Sequence, residues 1–105
     1  MAKYLLLALN GPHEGEGKED AYNRWYDEIH IPDLEAIPGV RSARRYKTIM
    51  SRRISFPYVA AYEIEVDDLD AFMKDLETKP RPYSPAMNRD TSAMVLAVAI
   101  PRADE

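Results

Sequence analysis

Residues 25–34 read Trp-Tyr-Asp-Glu-Ile-His-Ile-Pro-Asp-Leu, and residues 37–40 read Ile-Pro-Gly-Val. The apolar residues in and before this stretch recur every three or four positions: Ala21, Tyr22, Trp25, Tyr26 and Ile29. Such a period is typical of an amphipathic helix with one apolar face. The stretch therefore predicts a helix over residues 18–30, with an imidazole at its end.

Pro32 is expected to interrupt this helix. A proline lacks the backbone donor that a helix uses, and it restricts the residue before it. We therefore expect the helix to break at Pro32 and to resume as a short turn through Leu34 and Ile37. His30 then lies at the break. Histidine is the side chain whose unperturbed pKa, roughly 6.5, lets it change charge near neutral pH.

The composition fits one folded unit. The 105 residues are 46% hydrophobic and 30% charged, which is enough for one core, so we expect a single domain over residues 1–105. The formal net charge of -4 gives no overall attraction to nucleic acid or to an anionic membrane. Small molecules or other proteins are the expected partners.

Residue types exclude several classes of chemistry. The chain has no cysteine, which excludes disulfides, thiolate catalysis and sulfur-ligated metals. The two histidines, His13 and His30, fall in different predicted elements, so we expect neither a bound metal nor a cofactor. No apolar run approaches 20 residues and no cleavable leader is visible, which favours the cytoplasm.

Apolar runs predict four strands, over residues 3–9, 41–49, 58–66 and 93–100. The second and third strands in the chain, joined by a loop containing Ser51-Arg52-Arg53, are expected to form a hairpin. A second helix is predicted because its apolar residues fall at helical spacing: Leu69, Phe72, Met73 and Leu76. Asp67 or Asp68 is placed to cap that helix. Pro80, Pro82 and Pro85 predict a rigid connection to the last strand.

The order of elements is βαββαβ, which predicts an α+β, ferredoxin-like unit with an antiparallel sheet and both helices on one face. The first and last strands are apolar on both faces, since residues 5–9 and 94–99 are all apolar. An antiparallel sheet with one wet face alternates instead. Because two helices cover only one face, the other is expected to pack against a second copy in a two-fold homodimer.

Three features together resemble the EthD-like branch of the dimeric α+β barrel superfamily: a helix carrying Trp25, then His30-Ile31-Pro32, then Ile37-Pro38-Gly39-Val40 leading into a strand. The topology resemblance covers nearly the whole chain, and the motif resemblance covers residues 22–40. It implies a barrel formed by two sheets across a dimer, with a ligand cleft between helices and sheet in each subunit. Members include isomerases, polyketide cyclases and dehydratases, cofactor-free monooxygenases, haem-handling proteins and proteins without an assigned activity, so fold alone does not settle function.

His30 is the candidate acid–base residue. It falls about one turn beyond Tyr26 and two beyond Tyr22, so it should border the buried interior. In the functional interpretation it exchanges a proton with a ligand in the cleft, as the matching histidine of the family implies. In the structural alternative it bonds to carbonyl groups freed at the helix end. Asp27 and Asp33, three residues to either side, are candidates for orienting the ring.

The aromatic residues are rich in hydroxyl groups, with seven tyrosines against two phenylalanines. Buried hydroxyls need partners, and several together can bind the oxygens of an aromatic ligand. The candidates for such a pocket are Tyr22, Tyr26, Tyr46, Tyr58 and Tyr62. Trp25, the aromatic residue that matches the family, is a further candidate for contact with a ligand. Each of these aromatic residues can instead be a core residue.

A basic run stands out in this acidic chain: Arg41, Arg44, Arg45, Lys47, Arg52 and Arg53. Such charge commonly protects an edge strand against aggregation. Alternation along the strand puts Arg44 and Arg45 on opposite faces. Arg44, which shares its face with Tyr46, is the candidate for contact with a substrate carboxylate or phosphate.

The leading hypothesis is a cofactor-independent lyase, dehydratase, cyclase or isomerase that acts on a small cyclic or aromatic carbonyl compound. His30 would carry the proton, and the hydroxyls of Tyr26 and Tyr62 would stabilise an enolate. A second hypothesis is a cofactor-free monooxygenase oxidising an aromatic substrate. A third is a non-catalytic ligand-binding or stress-associated dimer, which is favoured if His30 is buried with no cavity beside it.

Overall fold

The computed structural model describes residues 2–78 and 82–104. Within them the chain forms strands β1 (Ala2–Asn10), β2 (Val40–Lys47), β3 (Tyr58–Val66) and β4 (Ala93–Val98). The helices are α1 (Lys18–Trp25), α2 (Ile31–Glu35) and α3 (Leu69–Thr78), with a π-helical turn over Tyr26–His30 and a 3₁₀ turn over Arg89–Thr91. The strands pair in the order β2-β3-β1-β4, all antiparallel. The predicted α+β, ferredoxin-like βαββαβ fold is confirmed.

The strand ends differ from the predicted ends by one or two residues. The hairpin of β2 and β3 is present, but its last pair joins Lys47 to Tyr58, so β2 stops before Ile49. Strand β4 stops at Val98, where its pairing with Tyr4 ends. Ile49 and Ile100 lie beyond the last partners and are exposed. The prediction from apolar composition makes both strands too long, because it does not show where the neighbouring strands stop pairing.

The predicted helix break at Pro32 is wrong, because the backbone stays right-handed helical through His30 and Ile31. The hydrogen-bonding pattern changes instead. The amide of Ile31 bonds to the carbonyl of Tyr26, five residues back, as in a π-helix. Pro32 then falls in the first turn of α2, where a missing donor costs little. The helix ends at Glu35. The chain then turns into β2 at Gly39, which has a φ of 101° and where a Cβ would collide with Val66.

Both long helices lie on one face of the sheet, as predicted. Leu6, Tyr62 and Ile64 on that face share one core cluster with Trp25, Leu34, Phe72 and Leu76 from the helices. The amide of Ala71 donates to Asp68 Oδ1 at 3.0 Å, which confirms Asp68 as the cap of α3. No helix of the described residues is long and apolar enough to cross a membrane. Pro80 of the proline-rich connection lies outside the described residues.

The opposite face of the sheet is apolar along its centre and is uncovered by helices. Its central row is Leu5, Leu7 and Leu9 of β1, which pair with Ala97, Val95 and Ala93 of β4. Leu5 is 39% exposed and Val95 is 51% exposed. We call this surface the open face.

Candidate active site between the helices and the sheet

A cavity of about 420 Å³ lies on the helix side of the sheet, and we call it the inner cavity. Its polar lining residues are Asn10, Tyr26, His30, Tyr62, Glu77, Tyr83 and Ser92. Its apolar lining residues are Leu6, Ala8, Leu34, Met73, Leu76, Met87, Ala93 and Met94. A mostly apolar cleft with a few convergent polar groups is typical of a small-molecule site. None of these lining residues is a lysine or an arginine.

His30 is only 8% exposed and its imidazole lies within a group of aromatic rings. It stacks on Trp25 with ring centroids 4.7 Å apart and an interplanar angle of 26°. The ring of Tyr26 meets it edge-on at 5.0 Å, and Tyr83 lies 6.0 Å away on the cavity side. These contacts hold the imidazole in one orientation at the cavity wall. The prediction that His30 borders the buried interior is confirmed.

A buried polar chain connects α1 to β1. The Tyr22 hydroxyl donates to Asn10 Oδ1, and Asn10 Nδ2 donates to the Tyr26 hydroxyl at 3.2 Å. Tyr26 accepts in this arrangement, so its own O–H can donate to a ligand oxygen in the inner cavity. Asn10 thus orients the hydroxyl of Tyr26.

Tyr62 lines the inner cavity from β3. The side chain is 1% exposed, and its hydroxyl makes no hydrogen bond of ordinary geometry with any described residue. It lies close enough to Tyr26 for the two groups to affect each other's ionisation. Burial raises the pKa of both tyrosines above the ordinary value, so both stay protonated at neutral pH and each keeps an O–H that can donate a hydrogen bond.

Arg45 lies behind the tyrosines as a largely buried cation. Its guanidinium donates to Asn23 Oδ1 at 2.8 Å and to Asp27 Oδ1 at 3.0 Å. Its central carbon lies 4.6 Å from the ring centroid of Tyr26 and also lies over the rings of Tyr22 and Tyr58. Hydrogen bonds and cation–π contacts together fix the aromatic wall. The charge of Arg45 also lowers the pKa of Tyr26, although burial outweighs it.

Three of the predicted site residues line the inner cavity: His30, Tyr26 and Tyr62. Tyr22, Trp25 and Tyr58 form the layer behind them: Trp25 stacks on His30, and Tyr58 accepts from Asn23 at 3.4 Å. Asp27 bonds to Arg45 and does not line the cavity, and neither does Asp33.

Arg44 and Tyr46 do not reach the inner cavity. They pair with Ala61 and Val59 on the open face, whereas Arg45 opposes Ala60 on the helix side. The pairing of β2 with β3 has a register shift between Val40 and Ser42. A bulge adds one residue and reverses the parity that follows. Contact of Arg44 with an anionic ligand in this cavity is therefore excluded by geometry.

Asn10, Arg45 and Tyr83 were absent from the predicted site. Asn10 shares strand parity with Leu6 and is 4% exposed, so the alternation of β1 could have assigned it to the interior. The position of Arg45 on the helix side depends on the bulge in β2. Tyr83 lies in an irregular segment and had no periodic signal. Among residues 2–78 and 82–104, no group of three or more histidine, aspartate and glutamate side chains could hold a metal ion.

Comparisons with known structures identify the fold. A Dabb family protein with a ferredoxin-like fold from Mesorhizobium loti superposes with a TM-score of 0.64 at 13% identity, covering 96% of this chain and 100% of that chain. A dimeric ferredoxin-like protein of unknown function from Jannaschia sp. gives 0.59 at 18% identity, covering 90% and 96%. An ethyl tert-butyl ether D (EthD) family protein from Bacillus halodurans gives 0.55 at 15% identity, covering 95% and 100%.

No family model matches the sequence. No curated protein matches it. The chain has the ferredoxin-like α+β fold that EthD and Dabb family proteins share. The fold implied by the sequence resemblance is confirmed.

Proposed function

We propose that this protein is a cofactor-independent enzyme acting on a small cyclic or aromatic carbonyl compound, by lyase, dehydratase, cyclase or isomerase chemistry. The observation that carries the proposal is that three side chains suited to proton transfer and hydrogen bonding line one cavity: His30, Tyr26 and Tyr62. A buried His30 with no cavity beside it would favour the non-catalytic alternative. His30 is buried, but a cavity of about 420 Å³ adjoins it.

The roles of these groups follow from their ionisation. Burial raises the pKa of Tyr26 and of Tyr62, so neither is a base at neutral pH. Histidine exchanges protons in that range. His30 would therefore take a proton from carbon next to the carbonyl group, and the two hydroxyls would donate to the oxygen on which negative charge develops.

The lining also supports an uncharged ligand. Among residues 2–78 and 82–104, Glu77 is the charged carboxylate that lines the cavity, and no lysine or arginine lines it. Transferring a substrate carboxylate or phosphate into this cavity would leave its charge uncompensated. Neutral carbonyl compounds meet no such cost, and their oxygens can be bound by the two hydroxyls.

Proton exchange at carbon tests the proposal without knowledge of the natural reaction. A panel of cyclic and aromatic ketones is incubated with the protein in D₂O, and loss of the α-proton signal is followed by NMR. We expect catalysed exchange for at least one panel member, lowered about 10² to 10⁴-fold in His30→Gln, the range typical of general acid–base catalysis. Tyr26→Phe and Tyr62→Phe should have smaller effects, because each removes one donor.

Other outcomes select the other hypotheses. Binding of panel members without His30-dependent exchange supports a non-catalytic ligand-binding or stress-associated protein. Oxygen consumption with an aromatic substrate, measured with an electrode, supports a cofactor-free monooxygenase. Unchanged exchange in His30→Gln, with reduced thermal stability, would remove His30 from the catalytic role.

We further propose that the protein is a homodimer joined through the open face. Helices leave this apolar surface uncovered, and a protein of the same fold from Jannaschia sp. is described as dimeric. A self-complementary two-fold contact would bury more than roughly 1,200 Å² in total. Light scattering should give about twice the chain mass of 12.0 kDa. Leu7→Asp, at the centre of the open face, should yield monomers. Ile100→Asp, at an exposed position beyond β4, should not.

A further inference from the structure

A second cavity lies beside the inner cavity and shares part of its wall. This outer cavity has a volume of about 330 Å³ and is lined by His13, Tyr83, Ser84, Pro85, Met87, Arg89 and Asp90. Tyr83 and Met87 line both cavities. These two side chains therefore form the partition between a mostly apolar chamber beside His30 and a more polar space beyond it.

Tyr83 is the larger and more rigid part of the partition. On the inner side its ring lies 6.0 Å from the ring centroids of both His30 and Trp25. On the outer side the guanidinium carbon of Arg89 lies 4.4 Å from its centroid. The ring is thus held from both sides, although its side chain is 45% exposed overall.

The segment that carries Tyr83 is tied to the rest of the fold on either side of it. The indole of Trp25 donates to the carbonyl of Pro82 at 3.0 Å. The amide of His13 donates to the carbonyl of Ala86 at 2.7 Å. These two bonds fix the backbone on both sides of Tyr83. The partition is a built wall of the cavity.

We propose that Tyr83 sets the maximal length of the ligand that reaches His30. The inference rests on the proposed function, since it assumes that ligands bind in the inner cavity. A ligand that fills the inner cavity meets the Tyr83 ring at its end. Removal of the ring would join the two cavities, so that a longer ligand could extend toward Arg89 and Asp90 while its carbonyl group stays beside His30.

The test uses para-n-alkylacetophenones, with alkyl groups from methyl to octyl, to measure the ligand length that the inner cavity accepts. Isothermal titration calorimetry measures the affinity of each for the wild-type protein and for Tyr83→Ala, Tyr83→Val and Tyr83→Phe. In the wild type we expect affinity to rise about threefold to fourfold per methylene up to a limiting length and then to fall. Tyr83→Phe, which keeps the ring, should keep the limit.

Tyr83→Ala and Tyr83→Val should move the limit to longer chains and bind the octyl compound at least tenfold more tightly than the wild type, with little change for the methyl compound. If folded Tyr83→Ala and Tyr83→Val still bind the short compounds and the limiting ligand length is unchanged, the proposed role of Tyr83 is refuted. The proposed ligand site is then unaffected. An equal change at every length would also overturn the role of Tyr83, because general loosening has no length dependence. If no compound binds the wild type or any variant, both the length limit and the proposed ligand site are refuted.

Discussion

Replacement of Tyr62 by phenylalanine should stabilise this protein. The Tyr62 hydroxyl is buried and makes no hydrogen bond of ordinary geometry with a described residue. Leaving a buried polar group unsatisfied costs about 1–3 kcal/mol. Phenylalanine keeps the ring and removes only the oxygen, so the packing of β3 against the helices is preserved. We expect Tyr62→Phe to raise the free energy of unfolding by about 1 kcal/mol.

Tyr22→Phe is the matched control. It makes the same chemical change on a ring that is equally buried, but the Tyr22 hydroxyl donates to Asn10. Its loss leaves the Asn10 oxygen without that donor, which should lower the free energy of unfolding by about 1–3 kcal/mol. The two variants should therefore differ by at least about 2 kcal/mol, with opposite signs relative to the wild type.

Urea unfolding followed by circular dichroism measures both values. For a chain of this size 1 kcal/mol corresponds to roughly 4 °C or more in the thermal midpoint, which scanning calorimetry resolves. All variants are compared at one protein concentration, because dimerisation would make stability depend on it. A Tyr62→Phe variant that is less stable than the wild type by 1 kcal/mol or more would refute the reasoning, since its hydroxyl would then have a partner. Stabilisation with weakened ligand binding would indicate that the hydroxyl is retained for the ligand.

Three further predictions concern the same site. Burial raises the pKa of three tyrosines, which stay protonated when folded. The unfolded chain ionises near pH 10, so the free energy of unfolding is unaffected below about pH 10 and should fall above it by up to roughly 1.4 kcal/mol per group and pH unit. Urea titrations from pH 8 to 11 measure this, and a flat profile would contradict it. The fluorescence of Trp25 should change in His30→Gln, because the His30 ring stacks on the indole. It should not change in His13→Gln. Arg45→Met should lower the free energy of unfolding by about 1–2 kcal/mol through lost hydrogen bonds and cation–π contacts. Arg24→Met, at an exposed position of α1, should change the free energy of unfolding by less than about 0.5 kcal/mol. Equal effects of the two substitutions would contradict a stabilising role for the contacts of Arg45.

Periodicity determined the elements of this fold. The alternation in residues 58–66 and the helical spacing from Tyr22 to Ile29 are local patterns, and local backbone geometry converts them into strand and helix. The four-residue spacing of Tyr22, Tyr26 and His30 also placed all three on the buried side. The predicted helix break at Pro32 is wrong because the effect of a proline depends on the hydrogen-bond pattern around it, which the residue type alone does not reveal.

The remaining site residues depend on long-range contacts. Arg45 enters the site because a bulge near Val40 reverses the faces of β2, and a bulge has no fixed residue signature. Tyr83 reaches His30 from 53 positions away in the chain only because bonds to α1 and to the loop after β1 hold its segment. The residue type shows what a tyrosine or an arginine can do chemically, but not where in the fold its side chain lies.

The sequence by itself thus determined the order of strands and helices, the apolar open face and the placement of His30 at the interior, because each follows from neighbours within a few positions. Only the tertiary structure decided which hydroxyls share a cavity with His30, that Arg45 and not Arg44 lies behind them, and that Tyr83 closes the cavity. Those outcomes require strand register and loop docking. Both are set by burial of side chains that are distant in sequence, and burial is a property of the assembled fold.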